Sequence, residues 1–285
     1  MNKKIAFIGA GNMAISLIKG LLASGYDVTK IIATSPSESN RQQVMQSVGV
    51  RCIESNIEAI TQSDIVVLAI KPQVLASVCS NIEDTVIKHK PLVISVAAGI
   101  RSTDINRWLG GNCAVVRCMP NTPSMIQTGA TGLFANSLVS TEQKSDAENI
   151  LRAVGLTVWV DSDEDIDSVT ALSGSGPAYY FLFMESMQQA AENMGLDKKT
   201  AKLLTIQTAF GAAKMALESA DSCEDLRKKV TSPNGTTEQA IKSFEANQLP
   251  EVVSQAMLAA KNRAISLADE LSIAATIKEK PKLTK

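Results

Sequence analysis

The chain has 285 residues, 45% hydrophobic and 20% charged, and its 28 Lys and Arg against 29 Asp and Glu give a formal charge of -1. That length accommodates two domains with a sizeable core, and so balanced a charge offers no basic field for a nucleic-acid backbone, since the only Lys-rich run is the tail IKEKPKLTK. Five cysteines without a C-x-x-C pair and a single histidine, His89, argue against a metal site or disulfide framework and for a reduced, cytoplasmic setting.

The first segment, MNKKIAFIGAGNMAISLIKGLLASG, has a basic leader and apolar residues, but its Gly-x-Gly and Asn12 break the apolar run too early for a signal peptide. No stretch approaches the ~20 apolar residues of a membrane span, so no membrane partner is expected. KIAFIG reads as a strand, and Gly9, Gly11 and Ala14 form a G-x-G-x-x-A pattern between it and an amphipathic helix. Gly9 permits the tight turn, Gly11 lets a pyrophosphate approach the backbone, and Ala14 permits close packing of helix on strand. The next strand, KIIAT, leads into SPSESNRQQ. NAD-binding versions of this arrangement usually end that strand on an acidic residue for the ribose 2'-OH. Here Thr34, Ser35 and Ser37 supply hydroxyls and Arg41 a cation, which suits a 2'-phosphate. NADP(H) is the expected cofactor, with NAD(H) as the alternative.

IVVLAI, PLVISVA, AVVRCM and LTVWV continue the alternation of short β-branched runs with amphipathic helical segments, the rhythm of a parallel βαβ sheet. These runs lack polar alternation, as strands covered on both faces do. AIKPQ puts Lys71 and Pro72, and SVAAGI puts Ala97, Ala98 and Gly99, at the carboxyl ends of strands, where open α/β sheets bind ligands. In RCMPNTP, Pro120 and Pro123 stiffen a loop around Asn121 and Thr122.

From DIDSVTALSGSGPAYYFLF onward strands vanish, and helical spacing predicts helices over Ala178 to Met194, Lys198 to Ser219, Cys223 to Val230, Thr237 to Asn247 and Pro250 to Leu271. The predicted fold is α/β: an N-terminal doubly wound, Rossmann-type domain over 1–162, an all-helical domain over 163–275, and a flexible tail over 276–285. Within the helices, SPNGTTEQAI (232–241) is a turn followed by a helix N-terminus, whose free N–H groups either a Thr side chain or a bound carboxylate could close.

FIGAGNMA, AIKPQ, MPNTP, ALSGSGPAYYF and SPNGTTEQAI, in this order and spacing, resemble pyrroline-5-carboxylate reductases over about residues 4 to 270. The resemblance implies NAD(P)H-dependent reduction of the cyclic imine L-pyrroline-5-carboxylate to L-proline, the last step of proline synthesis, by a homodimer or a ring of dimers. It further implies that the backbone N–H groups of Gly235, Thr236 and Thr237 face the substrate carboxylate with Ser232 nearby, and that the Thr237 hydroxyl faces the imine nitrogen. The turn from Ser173 to Pro177, Ser175 included, would shape the substrate pocket. Gly9, Gly11, Asn12, Met13, Ser35, Asn56, Lys71, Pro72 and Ala97 would hold the cofactor. Asn234 stands where many members have a second glycine, and Glu238 where many have an apolar residue. A protonated or hydrogen-bonded imine accepts hydride without a strong acid, in keeping with His89 lying in the polar segment VIKHKP. A hydroxyacid dehydrogenase of similar build would need a general acid-base lysine, and Lys202 and Lys214 have no motif around them.

Overall fold

A computed structural model of the protein describes residues 3–278. Eight strands form one sheet: β1 (Ile5–Ile8), β2 (Ile31–Thr34), β3 (Arg51–Ile53), β4 (Ile65–Leu68), β5 (Leu92–Ser95), β6 (Val115–Met119), β7 (Gly129–Ala135) and β8 (Gly155–Trp159). Their order is β3-β2-β1-β4-β5-β6-β7-β8, with the chain reversing direction from β1 to β4, as in a doubly wound sheet. Between the strands run α1 (Asn12–Ala23), α2 (Glu38–Val48), α3 (Asn56–Thr61), α4 (Pro72–His89), α5 (Ser102–Trp108) and α6 (Thr141–Arg152). After β8 come α7 (Asp165–Val169), α8 (Gly176–Asn193), α9 (Lys198–Glu218), α10 (Cys223–Lys229), α11 (Thr236–Ala246) and α12 (Leu249–Lys278).

The absence of polar alternation in the strands has its expected cause. Ile5 and Phe7 of β1 join a core with Leu17, Ile18 and Leu21 of α1 and Ile150 of α6, while Ala6 and Ile8 join a second core with Leu75 and Ile82 of α4 and Ile105 of α5. Burial pushes the thiols of Cys79 and Cys113 up to about 12 and that of Cys118 higher still, so these cysteines act as unreactive apolar fillers.

Two strands escape the periodicity. β3 is three residues at the sheet edge, and β7 carries Gly129 and Gly132, which weaken any strand signal. Both glycines answer to close packing: a Cβ on Gly132 would lie 2.6 Å from Val169 Cγ1, and one on Gly129 would lie 2.2 Å from Ser124 Oγ. β7 also runs antiparallel to β6, so the sheet is not wholly parallel as expected. The connection between them is only a short 3-10 turn over Thr122–Ile126, and a hairpin-like link of that length cannot return a strand in parallel.

The chain divides into two compact units, one comprising residues up to Ser175 with those from Ala260 onward, the other Gly176 to Ala259. The expected division at 162/163 falls inside the first, because Arg117 fastens the segment beyond β8 to the sheet. Arg117, 1% exposed, donates through Nη1 to Asp163 Oδ1 at 2.7 Å and to the Asp163 carbonyl at 2.9 Å, and through Nη2 to Asp167 Oδ1 at 2.9 Å. The N–H and Oγ of Ser102, at the start of α5, both donate to Asp163 Oδ2 at 2.7 Å. The C-terminal half of α12 belongs to the same unit: Asp269 pairs with Arg101 at 2.6 Å, and Ser272 Oγ donates to Asp104 Oδ1 at 2.8 Å. α12 runs to Lys278, so 276–278 of the expected tail are helical, and 279–285 lie outside the described residues.

In the helical unit, α8 packs along α9, and Phe183 of α8 meets Phe244 of α11 with ring centroids 6.1 Å apart. Only Gly176, Ala201 and Thr205 of this unit are buried in the single chain, while Phe181, Leu182, Leu203, Leu204 and Phe210 are exposed.

Arg117→Leu strands two buried carboxylates without their cation, and it should lower unfolding stability by about 3–5 kcal/mol, the usual cost of breaking a buried pair from one side. Urea unfolding of parent and variant measures this. A loss below about 1 kcal/mol would mean the aspartates find water or other partners.

Candidate active site

The glycine-rich turn is set by contact and by chain direction. Gly9 has φ +95°, and a Cβ there would lie 2.5 Å from Ile70 Cγ2 and 2.6 Å from the Ala69 carbonyl oxygen, so no larger residue fits between β1 and the end of β4. α1 starts at Gly11 with no side-chain cap, and its first intrahelical bond runs from the Ile15 N–H to the Gly11 carbonyl at 3.0 Å. The N–H groups of Asn12, Met13 and Ala14 therefore have no protein acceptor among the described residues. A Cβ added to Gly11 would meet nothing within 4 Å, so the space over this helix start is open. Free N–H groups, the positive end of the helix dipole and an open approach together fit a pyrophosphate.

The other expected cofactor residues follow along one rim, at the carboxyl ends of β2, β3, β4 and β5. Ser35 is buried, its Oγ accepting from the Ser37 N–H and from Asn40 Nδ2, each at 3.3 Å. Asn56 is the first residue of α3, which Ser55 caps, and its side chain is half-buried. Lys71 is the exposed N-cap of α4, with Pro72 in the first turn. Ala97 is buried just beyond β5, where its N–H donates to Ser95 Oγ at 3.3 Å.

Two of the groups expected to meet a 2'-phosphate are otherwise engaged. Thr34 is 1% exposed, and its hydroxyl accepts the Gly9 N–H at 3.2 Å, so it steadies the glycine turn instead. Arg41 donates to the carbonyls of Ser35 at 2.9 Å and Pro36 at 3.0 Å, bracing the loop at which its charge is presented. No carboxylate ends β2; Glu54, beyond β3, lies 3.8 Å from Arg41.

Asn121 joins two motifs that lie far apart in sequence. Its Oδ1 accepts the Ala130 N–H at 2.9 Å, and its Nδ2 donates to the Ser173 carbonyl at 3.0 Å, so the MPNTP loop holds the SGSGP turn. That turn closes a π-helical segment, Thr170–Gly174, whose last bond runs from the Ser175 N–H to the Thr170 carbonyl at 2.8 Å. A Cβ on Gly174 would lie 2.6 Å from Met119 Cε, which accounts for the glycine. Ser175 is half-buried immediately before α8.

In the helical unit, Asn234 takes a left-handed φ of +60°, and Gly235, the N-cap of α11, offers no side-chain cap. Thr236 and Thr237 are the exposed first and second residues of α11, and neither caps the helix. One expected donor is withdrawn: the Gly235 N–H turns inward to the Ser232 carbonyl at 3.0 Å, because the turn that reverses the chain needs this bond. The open N–H groups are instead those of Thr236, Thr237 and Glu238, with the first intrahelical bond running from Gln239 to Gly235 at 3.3 Å. Glu238 was not among the expected donors, although as third residue of a helix that starts at Thr236 its N–H is one of the unpaired ones. This group of three N–H donors with an exposed Thr237 hydroxyl suits a carboxylate that carries a hydrogen-bond acceptor nearby.

Family models match both units: pyrroline-5-carboxylate reductase dimerisation over residues 163–267, and coenzyme F420-dependent NADP oxidoreductase over residues 4–99. A pyrroline-5-carboxylate reductase of Pseudomonas aeruginosa is 49% identical over 268 residues, which cover 94% of this chain and 98% of that one. The solved pyrroline-5-carboxylate reductase of Coxiella burnetii superposes with a TM-score of 0.91 at 49% identity, covering 94% of this chain and 99% of its own. The Plasmodium falciparum pyrroline carboxylate reductase, solved with NADP bound, superposes with a TM-score of 0.82 at 29% identity, over 94% and 98% of the two chains. By this identity over nearly its whole length, and by the agreement of fold, the chain belongs to the pyrroline-5-carboxylate reductase family.

Proposed function

We propose that the protein reduces the C=N bond of L-pyrroline-5-carboxylate to give L-proline, the last step of proline synthesis, with NADPH as the preferred donor. The observation that carries this reading is the open start of α11, where three N–H groups and the hydroxyl of Thr237 have no protein hydrogen-bond partner among the described residues. When bound, the cofactor supplies the hydride that adds to the imine carbon, and a proton from solvent completes the amine. The Thr236 and Thr237 N–H groups bind the substrate carboxylate, helped by the dipole of α11 and with Ser232 beside them. Gly235 shapes this loop through its turn, not through its own N–H. The Thr237 hydroxyl orients the imine nitrogen, and Ser175 lines the substrate pocket.

The pyrophosphate is assigned to the start of α1, at Gly9, Gly11, Asn12 and Met13, and the rest of the dinucleotide to Ser35, Asn56, Lys71, Pro72 and Ala97. A division of labour follows, in which the sheet domain binds the cofactor and the helical domain binds the substrate carboxylate and a second copy of the chain. The exposed apolar side chains of α8 and α9 support a homodimer, since a helical unit with so little buried of its own gains a core only from a partner. A ring of such dimers is the larger assembly proposed. The described residues hold no helix long and apolar enough to cross a membrane, and the five free cysteines suit the cytoplasm. A hydroxyacid dehydrogenase is not favoured, because Lys214 lies on the surface near Glu218 at 3.7 Å.

With β2 ending without a carboxylate, kcat/KM should favour NADPH over NADH by about tenfold or more, and Arg41→Ala should cost NADPH more than NADH. Parallel assays with the two cofactors decide this, and a clear NADH preference would remove the 2'-phosphate assignment. Thr237→Val keeps shape but loses the hydroxyl; kcat should fall roughly 10- to 100-fold with a smaller change in KM, because the N–H donors remain while the contact to the reacting nitrogen is lost. An unchanged kcat in the folded variant would leave Thr237 without a role in the chemistry. Sedimentation should show dimers or multiples of dimers, and a monomer that keeps full activity would contradict the pairing of helical units.

A further inference from the structure

Asn234 and Glu238, the two departures from the pattern that the resemblance implies, are joined in the structure. The Asn234 N–H donates to Glu238 Oε2 at 3.1 Å, and the same oxygen lies 3.1 Å from Lys242 Nζ, one helical turn further on. Lys242 first, and then the Asn234 N–H, keep the Glu238 carboxyl below the usual carboxylate range, so it carries its charge. An acidic third residue ordinarily reaches back to the N–H of the N-cap itself. Here that N–H belongs to Gly235 and is already given to the Ser232 carbonyl, so Glu238 reaches one residue further, to Asn234.

Together the two bonds satisfy the N–H groups of Asn234 and Gly235, and those of Thr236, Thr237 and Glu238 have no acceptor among the described residues. Asn234 holds a left-handed conformation that Asn tolerates nearly as well as glycine, and the bond from its N–H to Glu238 ties that turn to the first turn of α11. Glu238 also places a negative charge beside a group of anion-binding donors, and Lys242 offsets it.

We propose that Glu238 is a positioning residue for the substrate-carboxylate loop: through the Asn234 N–H it holds the turn from Ser232 to Gly235 in the shape that keeps the Thr236 and Thr237 N–H groups open, and its carboxylate does not touch the substrate. The role rests on the reduction of pyrroline-5-carboxylate proposed above.

Full-length Glu238→Ala and Glu238→Gln, assayed with pyrroline-5-carboxylate and NADPH, test it. Glu238→Ala should raise KM for the imine by about 5- to 20-fold, the scale of one charge-assisted hydrogen bond at a partly exposed site, and leave kcat within about twofold. Glu238→Gln keeps an oxygen for the Asn234 N–H while losing the charge, and it should return KM to within about threefold of the parent. NADPH affinity, read by nucleotide fluorescence, should be the same in all three proteins. A parent-like KM in Glu238→Ala overturns the proposal, as does a Gln variant no better than the Ala variant or a matching shift in NADPH affinity. A parent that reduces no pyrroline-5-carboxylate with either cofactor would remove the reduction itself, an outcome distinct from an active parent whose variants share its KM.

Discussion

The buried guanidinium of Arg117 is the constraint from which the organisation around the second half of the sheet follows. A charge taken out of water needs hydrogen bonds within the protein, and Arg117 makes them through Nη1 and Nη2 to Asp163 and Asp167, while its buried Nε has no partner among the described residues. Asp163 uses its other oxygen at the start of α5, so one cluster fastens β6, α5 and α7 together. α7 leads directly into the π-helical segment and the SGSGP turn, which Asn121 holds from the other side. The position of Ser175 is thus settled by a charge cluster that takes no part in the chemistry.

Ser37, Ser55, Ser140, Asp197 and Ser222 cap α2, α3, α6, α9 and α10 with their side chains. α1, α4, α5, α7 and α11 start without such a cap; the first turns of α1, α4 and α11 are assigned to cofactor or substrate, whereas the start of α5 is closed from a distance by Asp163, which accepts the Ser102 N–H at 2.7 Å. An uncapped N-terminus leaves backbone donors unsatisfied, a cost of roughly 1 kcal/mol that a bound anion can offset. At α1 and α11 the protein leaves such donors open where a ligand is assigned, while α3, whose Asn56 is also assigned to the cofactor, keeps its Ser55 cap.

The two units differ in how they obtain a core. The sheet has helices on both faces and buries nearly every side chain of β1, β4 and β5. The helical unit shows almost none of its apolar side chains buried in the single chain, and the dimerisation model matching this region agrees with a core completed between copies.

By itself the sequence determined what depends on local chemistry. The glycine turn was legible because Gly9 must turn within one strand-helix junction, and the helices after Gly176 because their spacing and composition are internal to each. Only the resemblance suggested that the start of α11 takes an anion, since Ser-Pro-Asn-Gly-Thr-Thr alone equally describes an ordinary cap. Tertiary structure decided whatever depends on a distant partner. It turned the Thr34 hydroxyl to Gly9, reversed β7, whose glycines hide its strand character, and bound Asp163 and Asp167 to Arg117, about fifty residues earlier in the chain. The bonds from the Gly235 N–H to Ser232 and from the Asn234 N–H to Glu238 are local, yet the sequence did not single them out, because several acceptors lie within reach of one turn. Periodicity and motif record what a residue needs from its neighbours along the chain, whereas a hydrogen bond takes whichever acceptor the fold brings within reach.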